Sequence, residues 1–405
     1  MIEKMTISTR TARRAVPAAL ALALFASAAA GLWPAGPRQA PGDSLRPKLQ
    51  AALDALHAAG KFPGMTAGVA LADGTVLGLA TGFAETSTKT PLKPSDRMLA
   101  GSVGKTYVAA VAMQLVHEGK LKLEDKVEAW LGQEPWFARL PNARAITVRH
   151  LMNHTSGLVR YEFQERFTSE LARQPDKVWR PEELVSYVLG LQPPFAPGQG
   201  WEYSDTNYIV LGMIMEKATG TPYIDLLRGR VLRPLGLEDT FPVTSRVVPG
   251  LVQGYAGPGN PFGGTDEMIS GGRFAFNPQF EWTGGGVVST AADLARWAKA
   301  LYEGRAFDPS LLPAMLDGVP ADLGPGSEYG LGVIIRPTPL GISYGHSGFF
   351  PGYLTEMMYF PEHGIAVAAQ VNTSVGQAVG KSMTRVVLDL AAIAAGPGAG
   401  KSGHI

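Results

Sequence analysis

The chain predicts an α+β fold, an α/β sandwich in which an antiparallel sheet is flanked by helices and carries a mostly helical insertion. Three observations predict it. Strand-like runs occur early, over 65–71 and 75–81, and again late, over 329–335, 341–345, 355–360 and 365–371. Between about 120 and 240 the signals are mostly helical, broken by Pro-rich turns such as 192–198. Strands need partners, so the simplest arrangement pairs the early hairpin with the late strands in one sheet, with the middle packed beside it. A ligand site is then expected in the cleft between the two lobes.

Each element has its own signal. Lys4, Arg10, Arg13 and Arg14 precede the apolar run Ala15–Phe25, and Ala26-Ser27-Ala28-Ala29-Ala30 follows. That order of charged, apolar and small residues marks residues 1–30 as a secretory signal peptide, the alternative being an uncleaved membrane anchor that continues to Trp33. The expected location is exported, periplasmic or secreted. Residues 31–42, rich in Pro and Gly, read as a flexible linker. The folded domain is expected over 43–395, and 396–405 as a flexible tail. Within the domain a helix is predicted over about 45–59, with Pro47 in its first turn. Asp73-Gly74 turns the first hairpin. A long helix from Ser102 stops at Gly119, and Thr290 with Asp293 caps another over 290–301. A last helix covers roughly 380–395.

Composition narrows the function. The 405 residues carry a net charge of +1. The leader holds four basic residues against Glu3, so the remainder lies near −2 with both signs dispersed. Neither a nucleic acid nor an anionic membrane is implied as partner, beyond the leader itself. There is no cysteine, which excludes thiolate zinc sites and lipid attachment. A chain this long buries a sufficient core without disulfides.

The most informative tetrapeptide is Ser102-Val103-Gly104-Lys105. Residues three apart share a helix face, so Lys105 can lie over Ser102 and stabilise or accept its proton. A serine hydroxyl needs such a neighbour to become a nucleophile. Thr106–Val116 is almost wholly apolar or small, so this helix is buried all round. A lysine at its start then needs a partner, because unpaired buried charge is expensive. Tyr203-Ser204-Asp205 stands at the mouth of a helix over 206–218. Asp205 or Ser204 can be simple caps, while Tyr203 offers a phenol able to shuttle a proton. Gly345-His346-Ser347-Gly348 lies on or just after a late strand, and its small residues admit a substrate backbone to the strand edge.

In this order the motifs resemble the serine beta-lactamase and penicillin-binding family, in the branch of class C beta-lactamases, D-alanyl-D-alanine carboxypeptidases and related esterases. Thr155-Ser156-Gly157-Leu158 and the stretch 284–294 are similar to further landmarks of that branch, and the likeness runs from about 49 to 371. The resemblance implies a beta-lactamase/transpeptidase-like fold. It makes Ser102 the acylated nucleophile, Lys105 its activating partner and Tyr203 the proton shuttle. His346 takes the place of a residue that polarises the site and steers a substrate carboxylate. Ser347, Gly348 and Asp205 border the substrate, and the backbone N–H groups of Ser102 and Phe349 form the oxyanion hole. No metal or organic cofactor is implied. The expected partner is a small molecule or peptide: a D-Ala-D-Ala peptide, a beta-lactam or an ester. His346-Ser347-Gly348 and Pro351-Gly352-Tyr353 look more like the peptidases, so a D-alanyl-D-alanine carboxypeptidase-like enzyme is the first reading. A class C-like beta-lactamase and a small-ester or lactone hydrolase are the alternatives. A non-hydrolytic penicillin-binding sensor is disfavoured by the intact Ser102, Lys105 and Tyr203.

One departure stands out. The family's usual Asn after Tyr-x is Asp205 here, an acceptor only, which favours a charged Lys105 and shifts base duty toward Tyr203. Asn207 replaces the amide only if the local backbone differs. Other patterns are chance. Gly341-Ile342-Ser343-Tyr344-Gly345 matches a nucleophile elbow but sits in a strand with more strands after it. Gly104-Lys105-Thr106 and Gly400-Lys401-Ser402 lack the earlier glycine of a phosphate loop. His150 and His154 are four apart without the glutamate of a zinc protease, and read as structural.

Overall fold

A computed structural model describes residues 41–396 apart from 258, 259, 261 and 263–265. The expected signal peptide, nearly all of the linker and the tail beyond Gly396 lie outside the described residues. Nine strands form one antiparallel sheet: β1 (Gly64–Ala70), β2 (Val76–Glu85), β3 (Thr90–Pro91), β4 (Val319–Pro320), β5 (Glu328–Tyr329), β6 (Ile334–Thr338), β7 (Gly341–Phe350), β8 (Tyr353–Phe360) and β9 (Ile365–Val371). Their order is β3-β2-β1-β9-β8-β7-β6-β5-β4, so the early hairpin joins the late strands through β1 and β9, with Met65 opposite Val371. Both central strands are buried along their whole length, as expected of a sheet covered on both faces.

Five helices matter to the site: α1 (Pro41–Ala59), α2 (Gly104–His117), α3 (Asp205–Thr219), α4 (Ala291–Tyr302) and α5 (Met383–Ala395). α1 and α5 cover one face, burying Leu49, Leu53, Val387 and Leu390 with Met65 and Val367. α4 covers the other, and its Trp297 stacks on Tyr107 of α2 at 4.2 Å, tying the helical lobe to the sheet. The chain leaves the sheet after β3 and returns at β4, so the excursion is longer than the helical stretch read from the sequence and includes α2 and α4.

Several boundaries moved for local reasons. α1 starts at Pro41, so Pro47 lies inside the helix rather than in its first turn. The run 329–335 is two strands, because the chain reverses at Gly332, where φ is +76°. Thr290 caps α4 by accepting from the Asp293 N–H, as a capping pair requires, but the Asp293 carboxylate turns away to Asp239, Thr240 and Arg296. α5 begins at Met383 because Gly380 is left-handed (φ +81°) and Ser382 takes the N-cap.

Candidate active site

The segment before Ser102 is pinned from outside. Met98–Leu99 pairs with Val287–Ser289, and the Ala100 N–H donates to the Val287 carbonyl at 2.9 Å. Gly101–Val103 then form a single 3-10 turn that leads into α2. Lys105 is fully buried, and its ammonium donates to Ser102 Oγ at 3.1 Å, to the Asp205 carboxylate and to the Gly284 carbonyl. Burial alone would lower the Lys105 pKa, but the Asp205 charge overrides it and holds the ammonium above its ordinary value. Lys105 is therefore a cation that donates to Ser102. It is not poised to take a proton.

Tyr203 faces the same cavity. Burial raises its phenol and the Lys105 charge pulls it back, leaving it at about 12. The buried hydroxyl bonds no protein group among the described residues, and the Lys105 Nζ lies 4.8 Å from its ring. Ser204 occupies the N-cap of α3 without a side-chain cap bond. The capping explanation of Asp205 fails too, since Asp205 is the first helical residue and its carboxylate serves Lys105 on one oxygen and Arg160 Nη2 on the other, the latter at 3.0 Å. Against the cost of burial, the Lys105 charge holds Asp205 well below the usual carboxylate range. Asn207 does not replace the missing amide. It is held by Ser156 Oγ at 2.5 Å and by His154 Nδ1 at 3.0 Å.

Three ionisable residues of the site were not read from the sequence. Arg160 bonds Glu162 through Nε at 2.5 Å, in addition to Asp205. Burial and the Asp205 charge push the Glu162 carboxyl well up, and the same two causes raise Glu281 to about 8. Arg160 and Glu162 follow directly on the Thr155–Leu158 landmark. Glu281 precedes Trp282, whose φ of +36° folds the chain so that the Gly284 carbonyl meets Lys105.

The opposite wall is β7. Its pairing with β6 ends at Gly345, which leaves the 346–350 edge open beside Ser102. Two glycines permit this approach. A Cβ on Gly348 would lie 2.0 Å from the Ala100 carbonyl oxygen, and one on Gly101 within 2.8 Å of the Phe349 backbone N and O. Phe350 and Tyr353 close a two-residue turn against β8, so the ladder's alternation points the Phe349 N–H away from β8 and toward the Ser102 turn. Ser347 Oγ donates to Glu356 at 2.8 Å and accepts from Arg336 at 3.0 Å.

His346 differs from its expected role. It is 1% exposed, its Nδ1–H donates to the Ser347 carbonyl at 2.6 Å, and its Nε2 accepts from the Tyr329 hydroxyl at 2.9 Å. Burial, helped by the Lys105 charge, lowers its pKa to about 3. The ring is neutral and both nitrogens are engaged. The cation expected to steer a carboxylate is not present on this strand.

Between the walls lies a cavity of about 390 Å³ lined by Ser102, Tyr203, Arg160 and His346, with Phe349, Leu354 and Met383 supplying apolar surface. Of the patterns set aside as chance, Ser343 and the two histidines do not line it, and Gly400-Lys401-Ser402 lies outside the described residues. Ser343 lies buried mid-strand on β7 and donates to the Arg336 carbonyl at 3.3 Å. His150 caps a short helix through Thr147, while buried His154 (φ +63°) accepts the Ser204 N–H at 3.2 Å and packs on the Tyr203 ring at 4.2 Å.

Residues 49–392 match the family profile described as Beta-lactamase. The chain belongs to the beta-lactamase family. It is 30% identical to Penicillin-binding protein 4* of Bacillus subtilis (strain 168) over 298 residues, 70% of this chain and 62% of that protein. It is 28% identical to the D-aminopeptidase of Brucella anthropi over 316 residues, 77% of this chain and 56% of that one. The chain thus spans about three fifths of the curated relatives it matches. Among solved structures, the D-amino acid amidase of Ochrobactrum anthropi SV3 in complex with D-phenylalanine superposes with a TM-score of 0.73 at 27% identity, covering 87% of this chain and 98% of that one. A D-stereospecific amidohydrolase from Streptomyces sp. gives 0.70 at 27% identity, covering 84% and 98%. In this beta-lactamase-family chain Ser102 and Tyr203 line one cavity, and Lys105 bonds Ser102 from behind it.

Proposed function

We propose that the protein is an exported serine amidohydrolase that forms an acyl-enzyme on Ser102 and acts on peptides and amides of D-amino acids, D-alanyl-D-alanine peptides among them. The observation that carries this is the Ser102–Lys105 contact at 3.1 Å on the cavity floor, with the Tyr203 phenol beside it. The D-amino acid amidase and the D-stereospecific amidohydrolase support the substrate class by their likeness. The leader's residue order supports export.

The chemistry balances without a free base. Ser102 Oγ bonds to the substrate carbonyl carbon while its proton passes to the Tyr203 oxygen. Tyr203 passes its own proton to the leaving nitrogen as the C–N bond breaks. The phenol begins and ends neutral, so a pKa near 12 does not obstruct it. Lys105 stabilises the charge developing on Oγ, and the Ser102 and Phe349 N–H groups receive the carbonyl oxygen. Water then repeats the sequence on the acyl-enzyme.

A turnover panel on the purified protein tests the reading, using a D-alanyl-D-alanine peptide, a D-phenylalanine amide, a chromogenic cephalosporin and a p-nitrophenyl ester. The D-amino-acid substrates should have the highest kcat/KM and their L-isomers should be far slower. Preference for the cephalosporin or the simple ester would contradict it.

A further inference from the structure

We propose, resting on the acyl-enzyme reading above, that Arg160 is the residue that receives an anionic group of the substrate, a carboxylate, inside the cavity beside Ser102. Besides His154, buried behind the Tyr203 ring with its pKa lowered by burial, four cationic or potentially cationic groups stand at or near the cavity among the described residues, and three are already committed. Lys105 has no exposed surface and spends its donors on Ser102, Asp205 and Gly284. Arg336 is one-to-one with Glu356, through Nη1 at 2.8 Å, and its Nη2 is on Ser347. His346 is neutral, with Ser347 and Tyr329 on its two nitrogens.

Arg160 is different. Its side chain is 33% exposed and lines the cavity. Glu162 and Asp205 hold Nε and Nη2, so one edge of the planar fork is fixed. The faces are fixed as well, with the guanidinium carbon 4.3 Å from the Phe163 ring and 5.4 Å from the Tyr203 ring. Nη1 bonds no protein group among the described residues. A guanidinium held in this way loses little freedom when a carboxylate binds it, which is the use to which arginine is best suited.

Lys105 and Arg160 are two cations, and Asp205 is shared between them. Burial and the Asp205 charge push the other two carboxyls, Glu162 and Glu281, above the usual carboxylate range. Among these described residues, Arg160 alone lines the cavity. Phe163, itself 51% exposed, covers one face of the guanidinium.

The test compares wild type, R160Q and R160K on two matched pairs of substrates. One pair is N-acetyl-D-alanyl-D-alanine and its C-terminal amide. The other is the mono-p-nitrophenyl ester of glutaric acid and p-nitrophenyl butyrate. All rates should fall somewhat in R160Q, because Asp205 loses a partner. The ratio of anionic to neutral kcat/KM should fall by about tenfold or more in at least one pair, mainly through KM, and R160K should lie between R160Q and wild type. Unchanged ratios in both pairs would show that Arg160 only braces Asp205, and would overturn the proposal. If R160Q does not fold, R160K is read on the same ratio, with a fall of about two- to tenfold expected and no change overturning it. If wild type turns over none of the four, the amidohydrolase reading fails, and the Arg160 assignment is judged separately. Glutarate should then slow the labelling of Ser102 by a neutral fluorophosphonate in wild type and not in R160Q; equal labelling with and without glutarate in wild type would overturn it.

Discussion

The two walls of the cavity are built from opposite materials. The helical wall, from α2, α3, the loop at Arg160 and the Pro278–Glu281 turn, gathers five ionisable side chains within bonding or Coulomb reach of one another: Lys105, Arg160, Glu162, Asp205 and Glu281. The strand wall offers backbone at Phe349, two glycine-permitted close approaches and a histidine kept neutral. Proton transfer and charge therefore belong to the helical wall, and geometry belongs to the strand. The contrast teaches that a histidine in a motif need not be the titrating group. A strand that must accept a substrate backbone at close range does better with its polar side chains already satisfied.

The largest effect that would sharpen this division comes from the phenol. Tyr203→Phe removes a proton carrier, worth about a hundred- to ten-thousandfold in rate, and should depress kcat on peptide, amide and neutral ester alike. A loss confined to one substrate class would move proton transfer elsewhere.

Asp205→Asn comes next. Removing one partner of a buried ion pair costs about 3–5 kcal/mol, because the other charge is left uncompensated. The Asp205 carboxyl titrates lower in the folded protein than unfolded, so its stabilising contribution is complete above the unfolded value near 3.9 and is lost as pH falls below it. Denaturant unfolding at pH 7 should therefore show a large deficit in the variant, and the deficit should shrink at pH 3. With Asn in place, Lys105 also loses the charge that holds its pKa up, so the pH–rate profile should move to lower pH. A variant that matches wild type in stability and profile would mean the carboxylate does no more than an amide cap.

The smallest effect is on the strand. His346→Ala should lower kcat/KM on anionic and neutral substrates by similar factors, within about threefold of each other, since a neutral ring has no charge to lose. Wild type should show no histidine-like change in carboxylate preference between pH 5 and 8, because the ring titrates near 3. A preference that fades through pH 6–7 and disappears in the variant would return the steering role to His346.

What the sequence made legible follows from what is local. The Ser102–Lys105 spacing, the buried helix behind it and the strand runs at the two ends of the chain all rest on short-range periodicity, and all appear in the structure, with the 329–335 run split in two and Ser102 in the turn before the helix. The early hairpin's partnership with β9 was reachable because unpaired strands must pair. The charge network was not legible. Arg160 lies 45 positions from Asp205, and Glu281 a further 76, and no spacing rule connects them; only the folded backbone, including the Trp282 turn, makes them neighbours. The state of His346 was hidden for the same reason, since Tyr329 and Lys105 act on it from other elements.

The central claim is an acyl-enzyme on Ser102, and intact-mass spectrometry tests it most directly. Wild type incubated with a fluorescent penicillin or a fluorophosphonate should gain one adduct. Ser102→Ala should gain none, while Ser343→Ala, altered on the buried strand serine of the chance elbow motif, should label like wild type. Labelling that survives the loss of Ser102 and disappears with Ser343 would contradict the account.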